Sequence, residues 1–153
     1  MATPPVPADS AMLALTELVM GVSVGQHHRA YAVAKMSDST THVINDFIDN
    51  TPVTVAYCDR TSCTRAFTAS GRTSPLELSV GGWMNEGEVS DMLLRDGRHR
   101  YQMKTGQAWN PDTPPFPYEN VAVVLTTWGE WRSAHPDTDL ILGGRPNQSV
   151  RRN

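Results

Sequence analysis

The sequence predicts a mainly β fold, α+β at the margin, in which antiparallel hairpins form a sheet or a barrel-like core with one or two short helices. Three observations lead to this prediction. Eleven prolines and eleven glycines, with few long apolar runs, are typical of turn-rich β proteins. Several short segments alternate apolar and polar residues with the period of two that a half-buried strand requires. The dipeptide Asp96-Gly97, a strong hairpin signal, lies between two strand-like segments.

The length of 153 residues indicates one domain that buries a core of its own. The proline-rich start predicts a flexible N-terminal arm over residues 1–17. The single β-rich domain is predicted over residues 18–145, and a frayed tail over residues 146–153. The formal net charge of −3 gives no basis for nucleic acid as a partner. No apolar run reaches the roughly 18–20 residues of a membrane-spanning helix, and the start lacks the charged and apolar regions of a signal peptide.

The first elements predicted are two strands at residues 19–24 and 29–34, which form a hairpin around residues 25–28. His27 and His28 are adjacent in that turn, so their side chains should diverge, and we expect them in a solvated loop rather than at a metal site. Further strands are predicted at 42–48, 53–57, 64–69, 76–80, 92–95 and 99–103, with a last edge strand at 140–142.

Three later segments contain local signals for a strand end, a strand and a helix. Gly81-Gly82 is expected to end the strand before it, and residues 84–88 are expected to form a loop. The continuous apolar run at residues 121–125 is typical of a strand in the middle of a sheet. Thr127 and Glu130 have the spacing of a capping box, which predicts a short helix through residue 134.

The two cysteines, Cys58 and Cys63, lie at the ends of a polar tetrapeptide between two predicted strands. A four-residue loop would place them opposite each other at the mouth of a hairpin. Their sulfurs would then form a cross-strand disulfide, act as a redox dithiol, or supply two ligands to a soft metal. The spacing is not the Cys-x-x-Cys of a thioredoxin-type motif. Arg60 and Arg65 lie close in sequence, where their charges would favour thiolates.

A copper site would need further soft donors near the two sulfurs. His42 precedes the cysteine strand by one loop and is the first candidate for a third ligand. Met103 and His99 are the next candidates, because both fall near the predicted hairpin around residue 97. Core filling is the alternative role for the methionine, and a hydrogen bond at the edge of the core is the alternative for His42. Histidine and methionine would also suffice for a non-covalent haem.

Several blocks of the chain together resemble the bacterial DUF3179 family. They are residues 19–24, 29–31, 43–46, 53–58, 127–132 and 135–138, and they recur in that order over about residues 18–142. The form with four residues between the cysteines is similar to the variant of planctomycete-type members. The family has no established activity, and its members are often exported, so the resemblance implies a periplasmic or other extracytoplasmic location. Many members have a tighter Cys-x-x-Cys and a histidine just before the Val-Asn-Asp block, where this chain has Thr41 and His42.

Three functional hypotheses follow. The first is an extracytoplasmic metal-binding domain, with copper as first choice, or a redox or electron-transfer domain. It is centred on Cys58 and Cys63, takes His42, Met103 and His99 as further metal ligands, and implies a redox or metal-delivery protein as partner. The second is a non-catalytic structural or interaction domain held by a Cys58–Cys63 disulfide. The third is a thiol–disulfide oxidoreductase. No paired carboxylates or nucleophile–base pattern is recognisable, so no catalytic residue is assigned.

Overall fold

In the computed structural model, residues 2–38 and 41–143 are described, and the predicted tail at 146–153 lies outside them. The described residues form twelve strands and one α-helix. The strands are β1 (Val6–Pro7), β2 (Leu18–Val24), β3 (His27–Ala32), β4 (Val43–Ile48), β5 (Thr51–Cys58), β6 (Cys63–Thr68), β7 (Leu78–Glu86), β8 (Val89–Asp96), β9 (His99–Gln102), β10 (Glu119–Val121), β11 (Val124–Thr127) and β12 (Asp139–Ile141), and the helix is α1 (Trp128–Ala134). The mainly β fold class is therefore confirmed. No helix among these residues is long and apolar enough to cross a membrane.

The strands form three sheets. The five-stranded sheet has the order β1-β12-β3-β2-β11, the four-stranded sheet β10-β6-β5-β4, and the three-stranded sheet β7-β8-β9. Only β12 and β3 pair in parallel among the described strands, and the other pairs are antiparallel. None of the sheets closes on itself in the described part of the chain, so the core is built from open sheets and is not a barrel.

The four-stranded sheet lies between the other two because β5 is apolar on both of its faces. Val53 and Val55 belong to a core shared with the five-stranded sheet, which contributes Met20 and Tyr31. The intervening side chains of β5 point to the opposite face, as the period of two requires. There Ala56 and Cys58 pack in a second core with residues of the three-stranded sheet, namely Leu78, Met92 and Leu94.

Two consecutive polar residues of β4 connect the central sheet to its two neighbours. Asn45 donates from Nδ2 to the carbonyl of Leu78 and accepts from the backbone N–H of the same residue, at 2.8 and 3.1 Å. Asp46 points the other way and accepts from Arg29 on β3, at 3.0 Å between Nη1 and Oδ2. Alternation along the strand thus directs one hydrogen-bonding side chain into each interface between sheets.

The helix α1 covers the outer face of the five-stranded sheet, as Trp128 and Trp131 are buried with Val19 and Leu140. Its N-cap is Thr127, whose side-chain oxygen accepts from the backbone N–H of residue 130, so the predicted cap and helix are confirmed. Gly21 on β2 is needed beneath the helix. A Cβ at this position would overlap the indole ring of Trp131.

Three strand predictions are wrong in informative ways. The strand β7 does not end at Gly81-Gly82 but continues to Glu86 through a bulge, so the loop expected at 84–88 is largely strand. The apolar run at 121–125 is not a central strand. It is divided between β10 and β11, which are edge strands of two different sheets. The strand expected at the last edge is β12, which lies between β1 and β3 instead.

The first seventeen residues also differ from the flexible arm that their proline content suggested. Val6 and Pro7 form β1 opposite Leu140 and Asp139 of β12. Ala8 is buried, and the backbone N–H of Thr3 donates to the carbonyl of Gly143 at 3.0 Å. Proline is compatible with this position because β1 is an edge strand. The N-terminal segment therefore forms part of the five-stranded sheet and one wall of a cavity.

Candidate functional site

The cysteine hairpin has the predicted geometry. β5 and β6 pair in antiparallel register, and Cys58 stands directly opposite Cys63 across the loop of residues 59–62. Both are free thiols; Cys58 is buried and Cys63 is half-buried. The loop is held against the three-stranded sheet by the guanidinium of Arg60, which lies 4.8 Å from the ring centroid of Trp83. The register thus brings the two sulfur-bearing residues together, as the spacing suggested.

The surroundings of Cys63 favour the thiol over the thiolate. Burial raises its pKa, and the nearby Asp91 carboxylate raises it further, while Arg65 and Lys104 act in the opposite direction. Asp91 is fully buried, and its Oδ2 accepts from the backbone N–H of Lys104 at 2.8 Å. Its Oδ1 is buried and has no hydrogen-bond partner among the described residues. The two arginines expected to promote thiolate formation therefore do not decide the state of this thiol.

The further metal ligands predicted from the sequence have other contacts in the fold. The Nδ1 atom of His42 lies 3.0 Å from the carbonyl of Tyr57, and its Nε2 atom lies 3.9 Å from Asp59. Met103 is fully buried and packs in the same core as Cys58. His99 begins β9 in a different hairpin. Within residues 2–38 and 41–143, no three histidine, cysteine or carboxylate side chains are arranged to hold a metal ion.

A cavity of about 560 Å³ lies at the other side of the molecule, beside β12. Four segments contribute to it: the N-terminal segment around β1, the start of β3, the turn between β4 and β5, and the loop before β12. The lining residues are Pro5, Pro7, Ala8, Asp9, Gln26, His27, His28, Asp49, Pro136, Asp137, Thr138 and Asp139. The wall is thus a mixture of carboxylates, two imidazoles and three proline rings.

A buried charge network lies beneath this cavity. Arg29, which is 6% exposed, donates from Nε and Nη2 to the two oxygens of Asp139 at 2.8 and 3.0 Å and from Nη1 to Asp46 at 3.0 Å. Tyr31 donates to the same oxygen of Asp46 at 2.7 Å. Burial alone would raise the pKa of Asp139, but the hydrogen bonds from Arg29 and His27 outweigh it and hold this pKa below its ordinary value. Asp139 is therefore a carboxylate at neutral pH.

His27 extends the network into the cavity wall. Its Nε2 lies 2.9 Å from Asp139 and its Nδ1 lies 3.2 Å from Asp49 in the turn between β4 and β5. Burial lowers the pKa of His27, but the hydrogen bonds to Asp139 and Asp49 raise it more, and the resulting pKa lies above its ordinary value. The expectation that His27 and His28 lie in a solvated loop is wrong, because both belong to β3. The pairing of β3 with β2 fixes the directions of the two histidine side chains.

His28 contributes to a neighbouring ring cluster. Its imidazole stacks on that of His135 at a centroid distance of 3.9 Å and contacts the edge of Trp131 at 6.3 Å. Burial and the adjacent His28 lower the pKa of His135. The indole of Trp131 donates to Thr138, whose hydroxyl donates to the backbone carbonyl of His28. These contacts fix the loop before β12 and so one wall of the cavity.

The cavity was not predicted from the sequence, although signals for it were present. Arg29 and Asp46 are charged residues within predicted strands and next to apolar residues, a position in which charges are usually paired. Three of the blocks that carry the family resemblance, around residues 29–31, 43–46 and 135–138, converge at this place in the fold.

The comparisons with known proteins give one family. No curated protein and no solved structure gives a significant match to this chain. A family model described as a protein of unknown function, DUF3179, matches residues 2–153, which is nearly the whole chain. The resemblance seen in the sequence blocks is thereby confirmed, and the chain belongs to the DUF3179 family.

Proposed function

We propose that this chain is a non-catalytic binding domain that takes a small, positively charged ligand into the cavity beside β12. The observation that carries the proposal is the cavity itself, which is continuous with a buried charge network through His27 and Asp139. Such a network is costly to bury, and strongly perturbed ionisable groups concentrate at functional sites. A concave pocket with a few convergent polar groups is the usual form of a small-molecule site.

The volume and the charge of the cavity limit the ligand. About 560 Å³ is within the range of roughly 300–1,000 Å³ that small-molecule sites occupy. Four aspartates line the wall, namely Asp9, Asp49, Asp137 and Asp139. Arg29 and His27 compensate Asp139 and Asp49, and Arg132 lies 3.8 Å from Asp9. A further aspartate, Asp46, shares Arg29, and Asp137 has no cation of its own among the described ion pairs. The remaining negative charge would attract a cation and repel an anion.

The other lining groups favour a ligand with an apolar body. Pro5, Pro7 and Pro136 have no backbone N–H and present ring carbons to the cavity. The carboxylates accept hydrogen bonds, as an ammonium or guanidinium group requires. A primary amine on a compact apolar skeleton meets both conditions.

A titration followed by ¹H–¹⁵N correlation spectra tests this proposal with three probes of similar shape, benzylamine, benzyl alcohol and benzoate. We expect benzylamine to shift the amides of residues 26–28, 49 and 137–139 with the highest affinity. Asp137→Asn should weaken binding because it removes an exposed carboxylate of the wall. Glu86→Gln, an exposed carboxylate on the distant β7, is the matched control and should bind as the wild type does. Absence of shifts with every probe would refute the proposal.

A second proposal concerns the cysteine hairpin, and the opposed register of Cys58 and Cys63 favours it. In an extracytoplasmic, oxidising compartment the two thiols would lose two protons and two electrons to the disulfide of a partner and join as a cross-strand disulfide. Burial raises the pKa of the Cys63 thiol, so only a small fraction of it is thiolate. A stabilised thiolate would therefore not favour reduction of the Cys58–Cys63 disulfide. A structural disulfide fits this chemistry better than a fast oxidoreductase.

A native thiol count before and after a glutathione redox series tests the second proposal. We expect no free thiol in protein from an oxidising compartment and a lower melting temperature after reduction. Elemental analysis and a visible spectrum of the same sample test the copper hypothesis, in which the opposed Cys58 and Cys63 would be two of the ligands, and the haem hypothesis, in which histidine and methionine would be the ligands. Free thiols under oxidising conditions would contradict the disulfide, and stoichiometric copper would favour the metal site instead.

A further inference from the structure

In one wall of the cavity, a single imidazole contacts two carboxylates. His27 lies on β3 of the five-stranded sheet, whereas Asp49 lies in the turn that joins β4 and β5 of the four-stranded sheet. The two ring nitrogens of His27 contact carboxylates on two different elements, Asp49 at 3.2 Å and Asp139 at 2.9 Å. A carboxylate is only an acceptor, so both contacts are hydrogen bonds only when both ring nitrogens are protonated.

The two contacts are not equally strong. Asp139 is 18% exposed and receives two further hydrogen bonds from Arg29, so it stays in place whatever the state of His27. Asp49 is 62% exposed and makes the longer contact with His27. Asp49 and Asn50 both have positive φ, 47° and 61°, as the central residues of a tight two-residue hairpin turn do. No other described cation bonds the Asp49 carboxylate, so the contact between His27 and Asp49 is the weaker of the two.

We propose that the His27 imidazolium is a pH-dependent bridge that holds the β4–β5 turn against the five-stranded sheet and closes one wall of the cavity. This inference rests on the proposed function for its consequence, because the bridge places Asp49 where a bound cation would meet it. When the ring loses one proton, a single N–H donor remains, and it stays with Asp139. The carboxylate of Asp49 then faces a ring nitrogen that is an acceptor, and the two lone pairs repel each other.

The charged groups around His27 agree with this assignment. Asp139 on β12 and Asp49 in the turn are the acceptors, and Arg29 on the same strand is the one cation that opposes protonation of the ring. Asp9 and Asp137, from the N-terminal segment and the loop before β12, line the same cavity and add negative potential. The carboxylates outnumber the cation, so their field favours the imidazolium form.

The test is an NMR pH titration of the wild-type chain without ligand, followed through the ring nitrogens of His27 and the backbone amides of Asp49 and Asn50. We expect the His27 midpoint to lie above 6.5, the ordinary histidine value, and both ring nitrogens to be protonated at pH values below that midpoint. The two turn amides should shift with the same midpoint.

The variant Asp49→Asn separates the bridge from simple folding effects, since Asp49 is exposed and its replacement leaves the buried network intact. We expect its His27 midpoint to move down toward 6.5, with the turn amides no longer following it. A wild-type midpoint at or below 6.5, or a His27 titration that leaves residues 49 and 50 unchanged, would overturn the inference. Neither result depends on ligand. Loss of benzylamine binding at every pH would instead overturn the proposed function and leave the bridge standing.

Discussion

Replacing Arg29 by methionine is the sharpest perturbation of the buried network. Methionine keeps much of the aliphatic volume of the side chain but leaves Asp46, whose side chain is 10% exposed, without a cation. Breaking a buried ion pair by removing one partner costs about 3–5 kcal/mol. For a chain of this length, each kcal/mol lowers the melting temperature by about 2–4 °C, so Arg29→Met should lower it by about 6–20 °C.

Thermal and urea denaturation of the wild type and the variant at neutral pH measure this cost. Arg100→Met on β9 is the matched control, because Arg100 is exposed and its replacement should change stability by no more than about 0.5 kcal/mol. The double variant Arg29→Met with Asp46→Asn should lose less than the sum of the single changes, since the second substitution removes the uncompensated charge. A cost for Arg29→Met equal to that of the Arg100 control would refute the argument that the network is buried and paired.

Three further changes have outcomes that the contacts determine. Gly21→Ala should destabilise the fold by about 1–3 kcal/mol in urea denaturation, because the new methyl group meets the ring of Trp131; unchanged stability would mean that the helix can shift. Thr127→Ala removes the N-cap of α1 and should cost about 0.5–2 kcal/mol, with Thr127→Ser as the control that restores the acceptor. The raised pKa of His27 means that its contribution to stability is fully present below pH 6.5 and is lost as the pH rises through its folded pKa. His27→Gln should abolish that part of the pH dependence, and an identical pH profile would contradict it.

The local elements were predictable because their signals lie within a few residues. The hairpin at Asp96-Gly97 and the capped helix after Thr127 are formed by neighbours in sequence. The alternation of Val53, Val55 and Tyr57 predicted the strand β5, but not the burial of both of its faces. The position of Cys58 opposite Cys63 followed from loop length alone.

The assignment of strands to sheets was not predictable in the same way. The run at 121–125 reads as one apolar strand, yet the chain leaves the four-stranded sheet after Val121 and joins the five-stranded sheet at Val124. No residue within the run specifies this change of sheet, because it depends on pairing with β6 and β2, which are distant in sequence. As a result Val124 is half exposed, where a central strand would have buried it.

The cavity illustrates a second limit of local patterns. Two of its polar residues, His27 and Asp139, are separated by 112 positions, and the parallel pairing of β12 with β3 brings them together. Adjacent histidines at a turn suggested solvent, whereas the strand β3 begins at His27 itself. The useful sequence signal was instead the pair of charges within predicted strands, Arg29 and Asp46, since such charges are rarely buried without a partner.

The central claim is that the cavity beside β12 binds a cationic ligand, and intermolecular NOEs from benzylamine test it most directly. A bound amine should give NOEs from its ring protons to the methyl group of Ala8 and to the rings of Pro7 and Pro136, because these side chains line the cavity. NOEs to the exposed indole of Trp83, on a different sheet, with none to the cavity would mean nonspecific stacking and would contradict the claim.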